Sequence, residues 1–454
     1  MNVPPGRSRP EDAAGGPPPL ARLAELLQVG KDGTLIGRNS LWLLGDRGFR
    51  LGVGLVVNAW LVRYLGADQL GLLSFAQSIV VITAVVSQLG LESILVRDLV
   101  RRAAEQKEIL GTALGLRVAG WLGTAALAVL IAGLLRPGDG RTLLLTAICS
   151  TTALAQTLDI VEYWFQSRTQ VAPVVAARLS AFVVGAAAKV AAIVLHASLE
   201  VVAAILAVEF ALSSLALVVA YLRAGGSPAG WRWATARAQE LLSDSWPMIL
   251  NSIAIVVSVR ADQMILTTLK GPTENGIYAA AQRLTEIIYY LPVAVMAAAT
   301  PVLLRSHQQD RTEYRRRLQR IFDLLGRAGL LTAVGVSLAS PLIVHVLFGN
   351  AFRATANVLA IQVWSAPVLF LGIAQTNWFI AEGRQRSLMA RSAVAAAASV
   401  ALNLGLVPAL GARGAAISLV VSQSFAHWIM NGLSRDTREL FLMQCRALVP
   451  GWRR

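Results

Sequence analysis

Residues 61–77 read LVRYLGADQLGLLSFAQ, and residues 266–282 read LTTLKGPTENGIYAAAQ. In each stretch, glycines interrupt the end of one long apolar run and the start of the next. One constant shift, close to half of the apolar part of the chain, aligns identical residues, which are Leu61 with Leu266, Gly66 with Gly271, Gly71 with Gly276, Ala76 with Ala281, and Gln77 with Gln282. We infer an internal duplication. Repeats with a binding site at their interface are typical of secondary transporters.

The composition around these stretches is that of a membrane protein. Of the 454 residues, 55% are hydrophobic and only 15% are charged, whereas soluble domains carry about 25% charged residues. The mean hydropathy is +0.58. These values exclude a disordered chain or a disulfide-stabilised secreted domain, and Cys149 and Cys445 permit at most one bridge.

The apolar segments predict helices rather than barrel strands, because their apolar residues are continuous and do not alternate. About twelve segments are long enough to cross a hydrocarbon core of about 30 Å. They lie at 39–62, 70–95, 109–134, 141–165, 171–195, 199–222, 244–269, 276–303, 319–347, 355–380, 387–407 and 412–432. The predicted fold is therefore an all-α membrane protein with about 12 transmembrane helices in two pseudo-symmetric six-helix bundles around a central cavity.

These segments divide the chain into five parts. We predict a disordered cytoplasmic tail at 1–38, whose residues 20–29 form either an interfacial helix or a short solvated one. The two bundles occupy 39–222 and 244–432, and a cytoplasmic linker at 223–243 joins them. Residues 433–454 are too charged to cross the membrane and predict an amphipathic cytoplasmic tail.

The distribution of basic residues predicts the orientation. With the N-terminus in the cytoplasm, the inside segments hold about 27 Lys and Arg residues and the outside segments about 6, as positive-inside insertion requires. Both termini are then cytoplasmic. The same rule accounts for the cluster Arg315–Arg317 without any nucleic-acid partner.

Several enzyme and pump signatures are absent from the sequence. It has no GxxxxGK[ST] phosphate loop and no Cys/His metal spacing, so it predicts no cofactor, no metal and no ATP-driven pump. The predicted outward connections are only a few residues long, which disfavours an enzyme with an outer catalytic loop.

Eight basic residues fall within predicted spans, where a central charge costs about 2.5–3.5 kcal/mol. They should face a hydrated cavity or a partner. Arg47 and Arg50 share a helix face with Gly54 and Asn58, which predicts an anion site. The alternative is that Asp46 neutralises Arg50 while Arg47 extends to the interface.

The other candidates are distributed over both halves. Arg117, Arg260 and Arg283 are the further candidates for anion binding, although Arg283 and Glu286 also have the spacing of a structural ion pair. Thr152, Gln156, Asp159 and Tyr163 share a polar face in the fourth segment. The predicted polar cavity residues are Asn58, Gln156, Asp159, Tyr163 and Asn251, and the predicted ion-coupling acids are Asp262 and Glu286.

The order and spacing of several motifs resemble those of a known family. The motifs are an Arg-bearing first helix, Leu65-Gly66 with Gly71, Gly90-Leu91 before Arg97, Asp262 before Gly276-Ile277-Tyr278-Ala279-Ala280, Arg283-Leu284, Pro301, and Asn403 with Pro408, Gly411, Gly414 and Ala415-Ala416. From about residue 39 to about residue 431 the chain is similar to the polysaccharide (Wzx-type) flippases, whose superfamily also contains multidrug extruders and lipid II flippases.

The resemblance implies two bundles around a cavity that opens alternately to either side of a bacterial cell membrane. It also implies movement of a polyprenyl-pyrophosphate-linked oligosaccharide to the outer leaflet, for surface polysaccharide biosynthesis. The expected partners are this lipid-linked substrate, the bilayer and a downstream polymerase, and the expected state is a monomer. The alternatives are an ion-coupled multidrug exporter and a membrane glycan polymerase or ligase.

Overall fold

The computed structural model describes residues 33–448, with the side chains of Arg50 and of the residues from Gly52 onward except Ser93, Gln385 and Arg386. These residues form α-helices and short turns, and no β-strand occurs among them. The helices are α1 (Gly33–Gln88), α2 (Glu92–Arg101), α3 (Gln106–Leu135), α4 (Gly140–Ala155), α5 (Ile160–Ser167), α6 (Ala172–Val194), α7 (Leu199–Arg223), α8 (Thr235–Lys270), α9 (Pro272–Ile288), α10 (Tyr290–Gln309), α11 (Arg311–Phe348), α12 (Arg353–Gln362), α13 (Ser365–Ala381), α14 (Gln385–Leu410), α15 (Ala412–Ser424), α16 (Met430–Leu433) and α17 (Arg438–Leu448).

The all-α membrane fold predicted from the sequence is confirmed. Over residues 33–448, nine helices are long and apolar enough to cross a membrane, or ten if the bent pair of Asn350–Gln362 and Ser365–Ala381 is one span. Twelve segments were expected. The first two are two helices that meet at the non-helical Gly66 and together make up the range of α1, and the last is divided by a π-helical turn at Phe425–Ile429.

The apolar core shows how the two halves meet. One buried cluster contains residues of both halves, including Leu70 and Phe75 from α1, Tyr278 from α9 and Phe352. Toward the other end of the molecule, the clusters separate. A second cluster lies mainly in the first half and a third lies wholly in the second half. The halves therefore share one core at the end that holds Gly66 and Gly271, and have separate cores at the opposite end.

The shared end is closed by backbone contacts related by the sequence repeat. A Cβ on Gly71 would lie 1.8 Å from the carbonyl oxygen of Pro272, and a Cβ on Gly276 would lie 1.8 Å from that of Ala67. The side chains of Asp68 and Thr273 are hydrogen-bonded at 3.2 Å. The repeat shift turns the Ala67–Gly276 contact into the Pro272–Gly71 contact and relates Asp68 to Thr273, so the seam has pseudo-two-fold symmetry.

We call this contact the glycine seam; it consists of Ala67, Asp68, Gly71, Pro272, Thr273 and Gly276. The turns that precede it also correspond, because Gly66 (φ 68°, ψ 176°) and Gly271 (φ 89°, ψ 172°) have nearly the same backbone conformation. The two copies of the short sequence repeat therefore have the same backbone turn and contact each other at the seam.

The first part of α8 lies within the predicted linker. Residues 235–243 are already helical, and Arg237 is only 6% exposed. Its guanidinium contacts Glu105 and Glu108 in the first half and donates to Glu240 at 2.6 Å. The carboxylates of Glu105 and Glu108 hold the start of α8 against the first half, so the helix begins before the apolar run does.

The amphipathic helix α17 packs against the second half. It buries Leu440, Met443 and Gln444. The amide of Gln444 donates to Gln375 of α13 at 3.1 Å, and Arg391 of α14 donates to Asn431 at 2.5 Å. The tail predicted at the membrane surface is therefore partly a structural element of the second half.

Candidate functional site

A cavity of about 580 Å³ lies between the two halves, on the open side of the glycine seam. Helix α1 and the fourth predicted segment line it from the first half, and α8, α9 and the start of α10 line it from the second half. Its polar lining residues are Arg50, Asn58, Ser74, Gln77, Ser78, Thr152, Gln156, Arg260, Gln263, Gln282, Arg283, Glu286 and Tyr290. We call it the central cavity.

The charge of the central cavity is predominantly positive. Among the described side chains, three arginines line it, Arg50, Arg260 and Arg283, together with one carboxylate, Glu286. Glu286 forms a 3.0 Å salt bridge with Arg260. Arg283 forms no salt bridge with any of the described side chains. The guanidinium groups therefore exceed the carboxylates, and the arrangement favours an anion.

The salt bridge differs from the one that the sequence spacing suggested. The alternative interpretation paired Arg283 with Glu286, which are three residues apart on α9. In the structure the chain reverses at Gly271, so that α8 and α9 run side by side and Arg260 reaches Glu286 across the helix pair. Glu286 therefore pairs with an arginine of the neighbouring helix and not with the arginine three residues away on its own helix.

A chain of side-chain hydrogen bonds connects the first half to this salt bridge. The hydroxyl of Ser78 donates to Gln263 Oε1 at 2.7 Å, and Gln263 Nε2 donates to Gln282 Oε1 at 2.8 Å. Gln282 Nε2 then donates to Glu286 Oε1 at 3.2 Å. The chain orients Glu286. The sequence patterns did not indicate these amides, although the repeated pair Gln77 and Gln282 was a usable signal.

The polar face predicted along the fourth segment is divided in the structure. Helices α4 and α5 are separated by a 3₁₀ turn at Gln156–Asp159, which changes the direction of the side chains that follow. Thr152 and Gln156 line the central cavity. Tyr163 instead lines a second cavity of about 760 Å³, with Asn251 from α8.

The second cavity lies at the end of the molecule where the cores of the halves separate. Its lining comprises Gln88, Gly90, Leu91, Glu92, Val96, Arg97, Tyr163, Gln166, Met248, Asn251 and Ser252. The amide of Gln88 donates to Gln156 Oε1 at 3.3 Å. Because Gln88 lines one cavity and Gln156 the other, this hydrogen bond marks where the two cavities adjoin.

The remaining predicted site residues lie elsewhere. Arg117 is 3% exposed and lines neither cavity; its guanidinium lies 5.8 Å from the centre of the Tyr163 ring. Asp159 occupies the end of the 3₁₀ turn, outside both linings. Asp262 is 2% exposed and accepts from the hydroxyl of Tyr278 and from the backbone N–H of Gln263. Arg47 falls on α1 outside the described side chains.

Comparison with known proteins agrees with this architecture. Residues 36–307, more than half of the chain, match the polysaccharide biosynthesis protein family, and residues 247–424 match the MatE family. No curated protein sequence matches the chain at a significant level.

Solved structures of transporters share the fold. The chain is similar to the lipid II flippase MurJ in an inward closed conformation, with a TM-score of 0.74 and 12% identity over 90% of this chain and 91% of that chain. It is similar to an inward-facing multidrug resistance MATE family transporter, with a TM-score of 0.66 and 15% identity over 86% and 94%. A transporter from Pyrococcus furiosus, described as having a binding pocket of reverse polarity, gives a TM-score of 0.54 and 12% identity over 94% and 95%.

Fold and family matches together define a multi-pass membrane transporter of the MOP superfamily. The chain belongs to the polysaccharide biosynthesis protein family.

Proposed function

We propose that this transporter is a flippase for oligosaccharides linked to polyprenyl pyrophosphate. It would move them from the cytoplasmic to the outer leaflet of a bacterial cell membrane, by alternating access, during surface polysaccharide biosynthesis. The single observation that carries the proposal is the excess of arginine over carboxylate in the central cavity. Both termini would lie in the cytoplasm, and the protein would act as a monomer that supplies a downstream polymerase.

The physical argument concerns the diphosphate. Charged headgroups are costly to bring into a hydrocarbon core, and arginine offsets this cost by donating two parallel hydrogen bonds to phosphate oxygens. Arg283 has no carboxylate bound to it among the described residues, and Arg50 approaches the same cavity from the other half. A diphosphate between the halves would thus be held by residues of both.

Alternating access requires that one end close while the other is open. The glycine seam closes one end. At the opposite end the halves have separate apolar cores, and ion pairs such as Arg97 with Asp244 join the first half to α8. Positive-inside insertion assigns that opposite end to the cytoplasm. In this state a headgroup would enter from the cytoplasmic leaflet.

A multidrug exporter is the second candidate, favoured by the MatE match over residues 247–424. Cationic drugs require an acidic or aromatic cavity, whereas the central cavity holds three arginines and one glutamate. The charge balance therefore supports the flippase. A glycan polymerase or ligase is supported by no feature of the described cavities.

The test compares Arg283→Gln with the wild type in proteoliposomes that contain a fluorescent polyprenyl-pyrophosphate disaccharide. Loss of fluorescence after adding a membrane-impermeant quencher reports the molecules that have reached the outer leaflet. We expect at least a tenfold lower flipping rate for Arg283→Gln, because two charge-assisted hydrogen bonds are lost. Arg413→Gln, at the start of α15 and outside both cavities, is the matched control.

Equal rates for wild type, Arg283→Gln and empty liposomes would contradict the proposal. In cells, deletion should leave lipid-linked glycan in the cytoplasmic leaflet. Unpolymerised units outside would instead indicate the polymerase class.

A further inference from the structure

The second cavity differs in chemistry from the central one. Its lining contains three amides (Gln88, Gln166 and Asn251), the hydroxyls of Tyr163 and Ser252, and Glu92. Its one cation, Arg97, donates to Asp98 and to Asp244, both at 2.9 Å. Two carboxylates therefore neutralise this cation, and Glu92 adds a negative charge. The cavity has no net positive charge and offers neutral donors and acceptors beside one carboxylate.

One acceptor in this cavity has no donor. Among the described groups of the protein, none donates a hydrogen bond to the buried Oδ1 of Asn251. A buried acceptor without a partner costs free energy, so it indicates a place where a ligand hydroxyl or amide can donate.

The position of the cavity suits a group attached directly to a diphosphate. The two cavities adjoin at the 3.3 Å hydrogen bond from Gln88 to Gln156. In a sugar pyrophosphate, the sugar follows the phosphate without a spacer. A diphosphate at the central arginines whose sugar points toward Gln156 would bring that sugar to Gln88 and the second cavity.

We propose that the second cavity is the glycan subsite of the transporter, which recognises the hydroxyl and amide groups of the sugar that carries the pyrophosphate. This inference rests on the proposed function. The cavity, of about 760 Å³, has room for a saccharide. Tyr163 and Asn251 contact the ligand from opposite halves, so sugar binding joins the first half to α8.

The experiment measures binding to the full chain in lipid nanodiscs. The probes are farnesyl pyrophosphate and farnesyl pyrophosphate bearing a hexose, an N-acetylhexosamine or a hexuronate. We expect at least one sugar to tighten wild-type binding severalfold. Asn251→Leu and Tyr163→Phe should each reduce that gain roughly two- to tenfold, the effect of one lost hydrogen bond, while the affinity for farnesyl pyrophosphate stays the same.

Two controls separate this inference from misfolding. Thr268→Ala changes an exposed polar residue of α8 outside both cavities and should behave as the wild type. Arg283→Gln should weaken binding of all four probes alike. Retained affinity for farnesyl pyrophosphate shows that the Asn251 and Tyr163 variants are folded.

The two proposals fail in different ways. If the wild type binds none of the probes, the flippase proposal fails and the subsite with it. If farnesyl pyrophosphate binds but no sugar adds affinity, or if both variants keep the full gain, only the subsite is overturned. Binding of tetraphenylphosphonium that Asn251→Leu weakens, without any sugar effect, would assign the cavity to lipophilic cations and also overturn it.

Discussion

Replacing Gly71 by alanine should open the glycine seam. The added Cβ would lie 1.8 Å from the carbonyl oxygen of Pro272, whereas ordinary contacts begin at 3.4 Å. The two halves must therefore separate there by about 1.6 Å, the difference between these distances. No rotamer change can relieve the clash, because the backbone fixes the position of the alanine Cβ and the Pro272 oxygen is itself a backbone atom.

Overpacking of this kind costs typically about 1–3 kcal/mol. If the cost applies only to the closed seam, the population with an open seam rises roughly 5- to 150-fold, since each 1.4 kcal/mol is a factor of about ten. The repeat adds a second expectation: Gly276→Ala meets the carbonyl oxygen of Ala67 at the same 1.8 Å and should give a similar shift. The double variant should give less than the sum, because one separation accommodates both methyl groups.

The assay is thiol labelling of Leu70→Cys, a fully buried position next to the seam, with Cys149 and Cys445 replaced by alanine. The labelling rate measures how often the seam opens, and it should rise by the factor given above. Gly123→Ala is the control, because a Cβ there meets nothing within 4 Å. Equal labelling rates in Gly71→Ala and Gly123→Ala would refute the reasoning.

Two further predictions concern stability. Arg391→Met should lower the free energy of unfolding by about 1.5–3 kcal/mol, because Asn431 and Thr437 lose their charged hydrogen-bond donor. Thermal unfolding measures this change, with the exposed Arg438→Met as the control. Equal melting temperatures for the two variants would contradict the prediction. For Asp139, burial raises the pKa, but hydrogen bonds from Thr142 and the charge of Arg136 lower it more, so the pKa is below its usual value. The Asp139 carboxylate therefore stabilises the folded protein above about pH 3.9, the pKa of an aspartate in the unfolded chain, and this stabilisation is lost as pH falls through the folded-state pKa. Asp139→Asn should thus lower the melting temperature at pH 7, and the difference from the wild type should shrink progressively below about pH 4.

The sequence predicted the helical membrane fold because lipid imposes length and apolarity on every crossing segment. It also located the repeat, since Gly66 and Gly271 occupy turns that demand a positive φ. The number of separate helices was less accessible. Whether Gly66 ends a helix or breaks one, and whether a π-helical turn divides the last segment, depends on packing.

The sequence indicated which residue types line the candidate site better than it indicated how those residues are arranged. Arg50, Arg260 and Arg283 were selected because intramembrane cations need a hydrated or paired environment, and all three line the central cavity. Arg117 met the same criterion yet lies beside Tyr163, outside the linings. Helical spacing also assumed that the fourth segment is continuous, and the 3₁₀ turn at Gln156–Asp159 separates Tyr163 from Gln156.

The glycine seam also bears on how sharply the transporter can switch. Contacts between side chains loosen gradually as rotamers exchange, but main-chain oxygens set against Gly71 and Gly276 have no such freedom. Whole helices must then part together, so intermediate widths should be sparsely populated. A barrier of this type would open and close in a single step and not gradually. It would therefore limit the leakage of small ions while the larger substrate is transported.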